Sequence, residues 1–284
     1  MRINTNINSM RTQEYMRQNQ DKMNTSMNRL SSGKRINSAA DDAAGLAIAT
    51  RMKAREGGMS VAARNTQDGM SLIRTAESAM NSVSNILLRM RDLATQSANG
   101  ANTRGNQASL QKEFAELKNQ IAYISDNTQF NDQNLLKDNS TITIQTMDST
   151  SSAQQVGVSL SSVSLGALSL AAIVIGIDNL DTASLTEASD AASAREAISA
   201  IDAALATVAG NRATLGATLN RLDFNVESLN NQATNMAATA SQIEDADMAK
   251  EMSEMTKFKI LNEAGISMLS QANQTPQMVS KLLQ

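Results

Sequence analysis

Fifteen positions between Ala194 and Ile243 follow an unbroken 4,3 spacing, and only one of them is charged. They are Ala194, Ile198, Ile201, Leu205, Val208, Arg212, Leu215, Leu219, Leu222, Val226, Leu229, Ala233, Met236, Ala240 and Ile243. A seven-residue repeat of this kind keeps one apolar seam of a helix against a partner helix over many turns. Helical throughout, the run would be roughly 75 Å long at 1.5 Å per residue, far more than a compact globule needs. A partner lies upstream. Ile73, Ala76, Met80, Val83, Leu87, Met90 and Ala94 keep the same spacing, and Leu72, Ala79, Ile86 and Leu93 add a second stripe beside it. A two-stripe face meets more than one neighbour. This helix is expected to stop at Asn99-Gly100, an αL-compatible pair, and a shorter one to resume with Leu110, Phe114, Leu117, Ile121 and Ile124. With a single Pro, at 276, long helices run without steric interruption. The fold class is therefore mainly α, a long antiparallel coiled coil within a helical bundle.

Between the two helical halves the period falls to 2. Thr141-Ile142-Thr143-Ile144-Gln145 and Val156-Gly157-Val158-Ser159-Leu160 alternate around the polar stretch Met147 to Gln155, which predicts a small β-hairpin near 140–160. Thr146, Ser149, Thr150, Ser151 and Ser152 form an exposed hydroxyl cluster on this reading. Residues 161–181 are rich in Ser, Leu and Ile without a period, and are expected to be a loop with short turns. The second long helix starts between Ser184 and Ser193, since Ser184 with Glu187 and Ser193 with Glu196 both fit a capping box.

The two ends differ from the middle. Ile3, Ile7, Met10, Met16, Met23, Met27 and Leu30 sit on helical spacings in the first thirty residues, and Met248, Met252, Met255, Phe258, Leu261, Met268 and Leu269 do so near the end. The residues around them are mostly Asn, Gln, Ser and Thr. Each stripe has few core partners inside one chain, so both ends are expected to order when neighbouring copies supply the missing surface. They read as polymerisation elements.

Composition removes most chemistry. There is no Cys and no His, so thiol nucleophiles, imidazole bases and the commonest metal ligands are absent, and neither an enzyme nor a cofactor site is expected. Asp41 and Asp42 are two adjacent carboxylates with no further calcium-spaced ligands, and fit the start of a helix instead. Gly33-Lys34-Arg35 lacks the strand and upstream glycine of a phosphate loop and is assigned to a bend. Glu244, Asp245 and Asp247 occupy the corresponding bend near the other end, where charge pairing with Lys34 or Arg35 is expected. A net charge of −3 does not steer toward nucleic acid. No stretch approaches the ~20 apolar residues of a membrane span, and MRINTNINSM lacks the apolar core of a cleaved secretory signal.

Leu30 to Ala49, LSSGKRINSAADDAAGLAIA, resembles the N-terminal signature of bacterial flagellins, and Leu87 to Gly100, LLRMRDLATQSANG, resembles their first long helix. Phe130 in ISDNTQFNDQNLL matches the end of the second. Asp245 to Gln274, DADMAKEMSEMTKFKILNEAGISMLSQANQ, followed by TPQMVSKLLQ, is similar to the flagellin C-terminus. The resemblance implies paired N- and C-terminal helices, with an inner-tube domain of 1–43 and 235–284 and an outer-tube helical bundle of 44–234. The large variable outer domains of longer members are missing here. It also implies a homopolymeric filament for swimming motility, export through the flagellar type III pathway without a cleaved signal, and an extracellular flagellum as the destination. An export chaperone, a filament cap protein and the hook-filament junction protein are the implied partners. Arg89, Leu93 and Glu113 match positions through which the family is bound by Toll-like receptor 5, and equally fit lateral contacts between subunits, the reading favoured here, while Leu117 stands where many receptor-activating relatives carry Arg.

Two other readings compete. A hook-filament junction protein shares the terminal signatures, but Ala43-Ala44, where those proteins tend to have Pro, and the closing ANQTPQ favour flagellin. A cytosolic coiled-coil scaffold does not explain two separate terminal segments without partners. The inserted metalloprotease of some flagellins is excluded by the absence of His for an HExxH site.

Overall fold

A computed structural model of the chain describes residues 6–149, 154–175 and 187–282. They form helices α1 (Ile7–Ser32), α2 (Ala43–Ser97) and α3 (Arg104–Asn127), strands β1 (Gln129–Phe130), β2 (Gln133–Asn134), β3 (Ser140–Gln145) and β4 (Gln155–Leu160), then helices α4 (Glu187–Glu244) and α5 (Met248–Leu282). The chain divides into two compact units, a terminal one of Met1–Gly57 with Ala233–Gln284 and a central one of Gly58–Gln232.

In the central unit α2 and α4 run antiparallel, as three side-chain links show. Arg91 Nε lies 2.7 Å from Asp202 Oδ1, Arg212 Nη2 3.7 Å from Glu77 Oε1, and the Thr66 hydroxyl 3.5 Å from Asn225 Oδ1. Partner numbers rise on one helix as they fall on the other. The seam predicted from the 4,3 spacing is present but uneven. Ala194, Ile201, Val208, Leu215, Leu222 and Leu229, one heptad apart, are all buried, whereas Ile198, Leu205, Leu219 and Val226 are half-buried and pack against the core from its margin. On α2, Ile73, Met80, Val83, Leu87, Met90 and both Leu72 and Leu93 of the second stripe are buried. Arg212, the one charged seam residue, keeps its place by turning its guanidinium toward Glu77.

The first long helix stops where expected but by another device. α2 ends at Ser97, and the Gln96 carbonyl is capped by the Asn99 amide at 3.2 Å and by the Asn102 side chain at 2.5 Å. Among the described residues Gly33 is the one glycine at positive φ, so Gly100 does not adopt the αL cap that the sequence suggested. Thr103 then caps α3, and Arg89 on α2 reaches Glu113 on α3, with Nη2 2.7 Å from Oε1. Phe114 and Ile121 of α3 complete the core.

β3 and β4 pair antiparallel with Ser140 opposite Leu160 and Gln145 opposite Gln155, confirming the hairpin. Its inner face is Ile144, Val156, Val158 and Leu160. Thr146, expected in an exposed hydroxyl cluster, is instead buried and donates its hydroxyl to the Gln154 carbonyl at 2.9 Å; Thr150, Ser151 and Ser152 lie outside the described residues. A second hairpin, β1 with β2, turns through Asn131 and Asp132 at φ 49° and 62°. A two-residue Asn-Asp turn with both residues left-handed is the type I′ geometry.

Residues 161–175 are the loop that the missing period implied, yet they send four apolar side chains inward. Val163, Leu168, Leu170 and Ile175 enter the core. Backbone groups enclosed beside them need partners, and side chains of α2 and α3 supply several. Gln111 Oε1 accepts from the Ile175 amide at 2.8 Å, the Ser97 hydroxyl donates to the Ile175 carbonyl, and the Lys118 ammonium donates to the Ala171 and Ile173 carbonyls at 2.9 and 3.0 Å. α4 begins at Glu187, and Ser184, one of its two proposed caps, lies outside the described residues.

Candidate assembly interface

The terminal unit is built around α1 and α5. α1 ends because Gly33, at φ 70°, adopts the left-handed conformation and returns its amide to the Arg29 carbonyl at 2.8 Å. Asp42 accepts from the Ala44 and Gly45 amides at 3.1 and 2.9 Å, and so caps α2. Asp41 is used within the bend, where the Ser38 amide and hydroxyl and the Asn37 amide donate to it and hold its carboxyl below the ordinary range. Asp247 caps α5 through the Ala249 and Lys250 amides. One acidic residue at each bend, Asp42 and Asp247, is thus a helix cap, which orphan amides at a helix start require. Among the described residues no group of three metal-binding side chains is assembled, and no helix is long and apolar enough to cross a membrane.

The two bends are clasped together. The Ala246 amide donates to the Gly33 carbonyl at 3.0 Å and the Arg35 amide to the Glu244 carbonyl at 2.7 Å, a bridge of one residue pair, Lys34 with Asp245. Glu244 is buried and lies between two ammonium groups, Lys34 at 3.4 Å and Lys53. Hydrogen bonding from Lys53, then from Lys34, outweighs burial and holds the Glu244 carboxyl below its usual value, and raises that of Lys53. Of the expected charge pairs, Lys34 with Glu244 is present. Arg35 instead donates its guanidinium to the Ile243 carbonyl at 2.6 Å. Lys53 was not foreseen, because nothing local places a residue ten positions into α2 beside one at the end of α4.

Beyond the clasp α1 and α5 run antiparallel. Asn6 Nδ2 donates to the Ala272 carbonyl at 2.8 Å, Asn262 Nδ2 to Gln20 Oε1 at 2.7 Å, and Arg29 Nη1 to Glu251 Oε1 at 3.2 Å. The Lys22 ammonium stands 5.7 Å above the Phe258 ring. The residues turned from solvent keep a 4,3 spacing on both helices: Ser9, Thr12, Met16, Asn19, Met23, Ser26 and Leu30 on α1, and Glu251, Met255, Phe258, Asn262, Gly265, Leu269 and Ala272 on α5. This seam is largely polar or small. Gly265 is needed in it because a Cβ there would come within 2.8 Å of Met16 Cγ. Among the described side chains of these two helices only Ser26 and Glu251 are fully buried. Arg29 Nε and Glu251 Oε2 are enclosed with no hydrogen-bond partner among the described residues.

The large apolar residues are mostly elsewhere. Ile7, Met10 and Met27 of α1 and Met248, Met252, Leu261 and Met268 of α5 are exposed, together with Tyr15, Ile260 and Ile266, which the sequence reading did not single out. Met23, Leu30, Met255 and Phe258 are half-buried in the seam between the two helices, and Ile3 lies outside the described residues. The sequence signal that separates the two sets is register: once the polar seam is fixed, the remaining apolar positions fall off it. Of the receptor-matching residues, Arg89 and Glu113 are an exposed ion pair, and Leu93 is inside the core.

Comparison with known proteins places these features in a family. A model of the bacterial flagellin N-terminal helical region matches residues 3–141, and one of the bacterial flagellin C-terminal helical region matches 198–283, so little chain is left between them for a large inserted domain. A flagellin of Listeria innocua is 44% identical over 294 aligned positions, covering 100% of this chain and 99% of that protein. A flagellin of Halalkalibacterium halodurans is 44% identical and is covered in full, as is this chain. A crystal structure of Bacillus cereus flagellin is 40% identical, with a TM-score of 0.47 over 62% of this chain and 94% of that one.

Proposed function

The chain belongs to the bacterial flagellin family and is a structural subunit of the flagellar filament; from that premise we propose that α1 and α5 are its polymerisation elements and make the inner tube. The supporting observation is the misplacement of apolar surface. A pair of helices whose seam fully buries only a serine and a glutamate gains little of the ~1.5–3 kcal/mol that each fully buried large apolar side chain contributes, while ten large apolar residues beside that seam face solvent. Burial of Ile7, Met10, Met27, Met248, Met252, Leu261 and Met268 against other copies removes that surface from water. The buried orphan atoms of Arg29 and Glu251 are consistent with polar partners supplied by a neighbour. Residues 1–43 and 235–284 form the inner tube and 44–234 the outer tube in this reading.

Membership of the family carries self-polymerisation and association with hook-associated proteins. The chain travels to the extracellular filament by the flagellar export route without a cleaved signal, met by an export chaperone on the way and by a cap protein at the growing tip. Toll-like receptor 5 contacts the free subunit through Arg89 and Glu113, whose exposure supports the reading, with Leu93 holding the helix face from within. Receptor-reporter signalling that is unchanged in an Arg89→Ala variant would remove this contact.

Seeding purified chain with filament fragments and viewing the product by electron microscopy tests the polymerisation assignment. Intact chain grows long tubes, and chain lacking 1–32 and 248–284 grows none. Long tubes from the shortened chain would overturn it.

A further inference from the structure

The described methionines of this chain range from fully buried to largely exposed. Met80 and Met90 are 1% and 0% exposed in the central core, whereas Met10 and Met268 are 61% and 65% exposed on the terminal helices. Met27, Met248 and Met252 are also exposed, and among the described residues every exposed methionine belongs to α1 or α5. The chain has no Cys and no Trp, so thioethers are its most readily oxidised side chains. A thioether reacts with a hydroperoxide when its sulfur can be reached. The sulfur lone pair attacks the distal oxygen, the O–O bond breaks, a sulfur–oxygen bond forms, and the departing oxygen takes up the proton. Sulfur loses two electrons and the peroxide gains them, ending as water when the oxidant is hydrogen peroxide. The sulfoxide is polar and chiral where the thioether was apolar and adaptable, and its burial without a donor is costly.

We propose that Met10, Met27, Met248, Met252 and Met268 are a reversible oxidation site at which hydroperoxides block the free subunit from joining the polymer, and that the same sulfurs are protected once the subunit is in place. The proposal rests on the reading of α1 and α5 as polymerisation elements. The reverse does not hold, since those helices can be the interface without their oxidation mattering. The consequence is a filament that resists peroxide while its precursor does not.

The test treats full-length monomer and intact filament in parallel with hydrogen peroxide, removes the oxidant, and counts added oxygen at each methionine by peptide mass spectrometry. Seeded growth of the treated monomer is then followed by light scattering. In monomer the five terminal methionines oxidise before Met80 and Met90, in filament they are slowed, and oxidised monomer grows at least about tenfold more slowly, as expected where even one unsatisfied polar group is buried. Treatment with both methionine sulfoxide reductases and a thiol reductant restores growth. Oxidised monomer that grows at the untreated rate overturns the proposal and leaves the polymerisation reading standing. Equal oxidation of the five residues in monomer and filament overturns both. Growth that stays lost after the sulfoxides have been reduced assigns the block to other damage and overturns the proposal.

Discussion

Along α2 and α4 the 4,3 spacing selects mostly leucine, isoleucine, valine and methionine, with some alanine and one arginine, and every seventh seam residue of α4 from Ala194 to Leu229 is buried. Along α1 and α5 the same spacing mixes serine, threonine, asparagine, glycine, alanine and glutamate with six large apolar residues, and most large apolar side chains stand off the seam. Spacing sets which face of a helix meets its neighbour within the chain, and the chemistry on that spacing sets how much the contact stabilises. The central pair buries most of its seam inside one subunit, with Val61, Leu88 and Phe224 exposed off it. The terminal pair is held in register by hydrogen bonds and one ion pair, and its apolar surface is left for other copies.

The largest effect is expected from charging that outward surface. Met252→Glu with Met268→Glu should raise the critical concentration for seeded growth roughly a thousandfold, since an unpaired carboxylate in an interface costs several kcal/mol, and should leave urea unfolding of the monomer unchanged within about 0.5 kcal/mol. Equal loss in both measurements would erase the distinction between the pairs. Next, truncating the two seams should separate them: Leu222→Ala should lower monomer stability by about 2–5 kcal/mol, whereas Ser26→Ala, equally buried in the other seam, should change it by less than about 1 kcal/mol.

Much of the central unit was legible before the structure because its seam residues are both periodic and apolar, so Ile201, Val208 and Leu215 announce the buried face directly. The β3–β4 hairpin was legible for the same reason at period 2. The terminal seam was harder to read, because its spacing is carried by Ser9, Asn19 and Asn262, while the eye is drawn to Met10 and Met268, which lie outside it. Residues 161–175 follow no period, and the distant side chains that hold their last turns, Ser97, Gln111 and Lys118, leave no local pattern. The partnership of Lys53 with Glu244 depends on how two chain ends are brought back together, which no local pattern records.

Smaller changes sharpen the contrast. Replacing the terminal hydrogen-bonded pair by Gln20→Leu with Asn262→Leu should stabilise α1 against α5 by about 1 kcal/mol, because removing both partners of a bond and adding apolar contact is neutral or favourable; hydrogen exchange of monomer amides reads it, and a loss of protection would show that the polar seam is needed for pairing. The clasp should respond to acid. Glu244 titrates below its ordinary 4.5 when folded, so its stabilisation is present above that value and is lost as pH falls through the lowered one. Partial exposure of both lysines limits the effect to about 1 kcal/mol. Glu244→Gln should flatten the acid dependence of exchange at the Arg35 and Ala246 amides, and an unchanged acid profile would deny the carboxylate this role.

Hydrogen exchange compared between monomer and filament bears most directly on the claim that the terminal helices are completed only between subunits. Amides of α1 and α5 should exchange quickly in the monomer and at least about a hundredfold more slowly in the filament, as sub-global opening is suppressed, while those of the central core stay slow in both. Terminal amides as well protected in free monomer as in filament would contradict it.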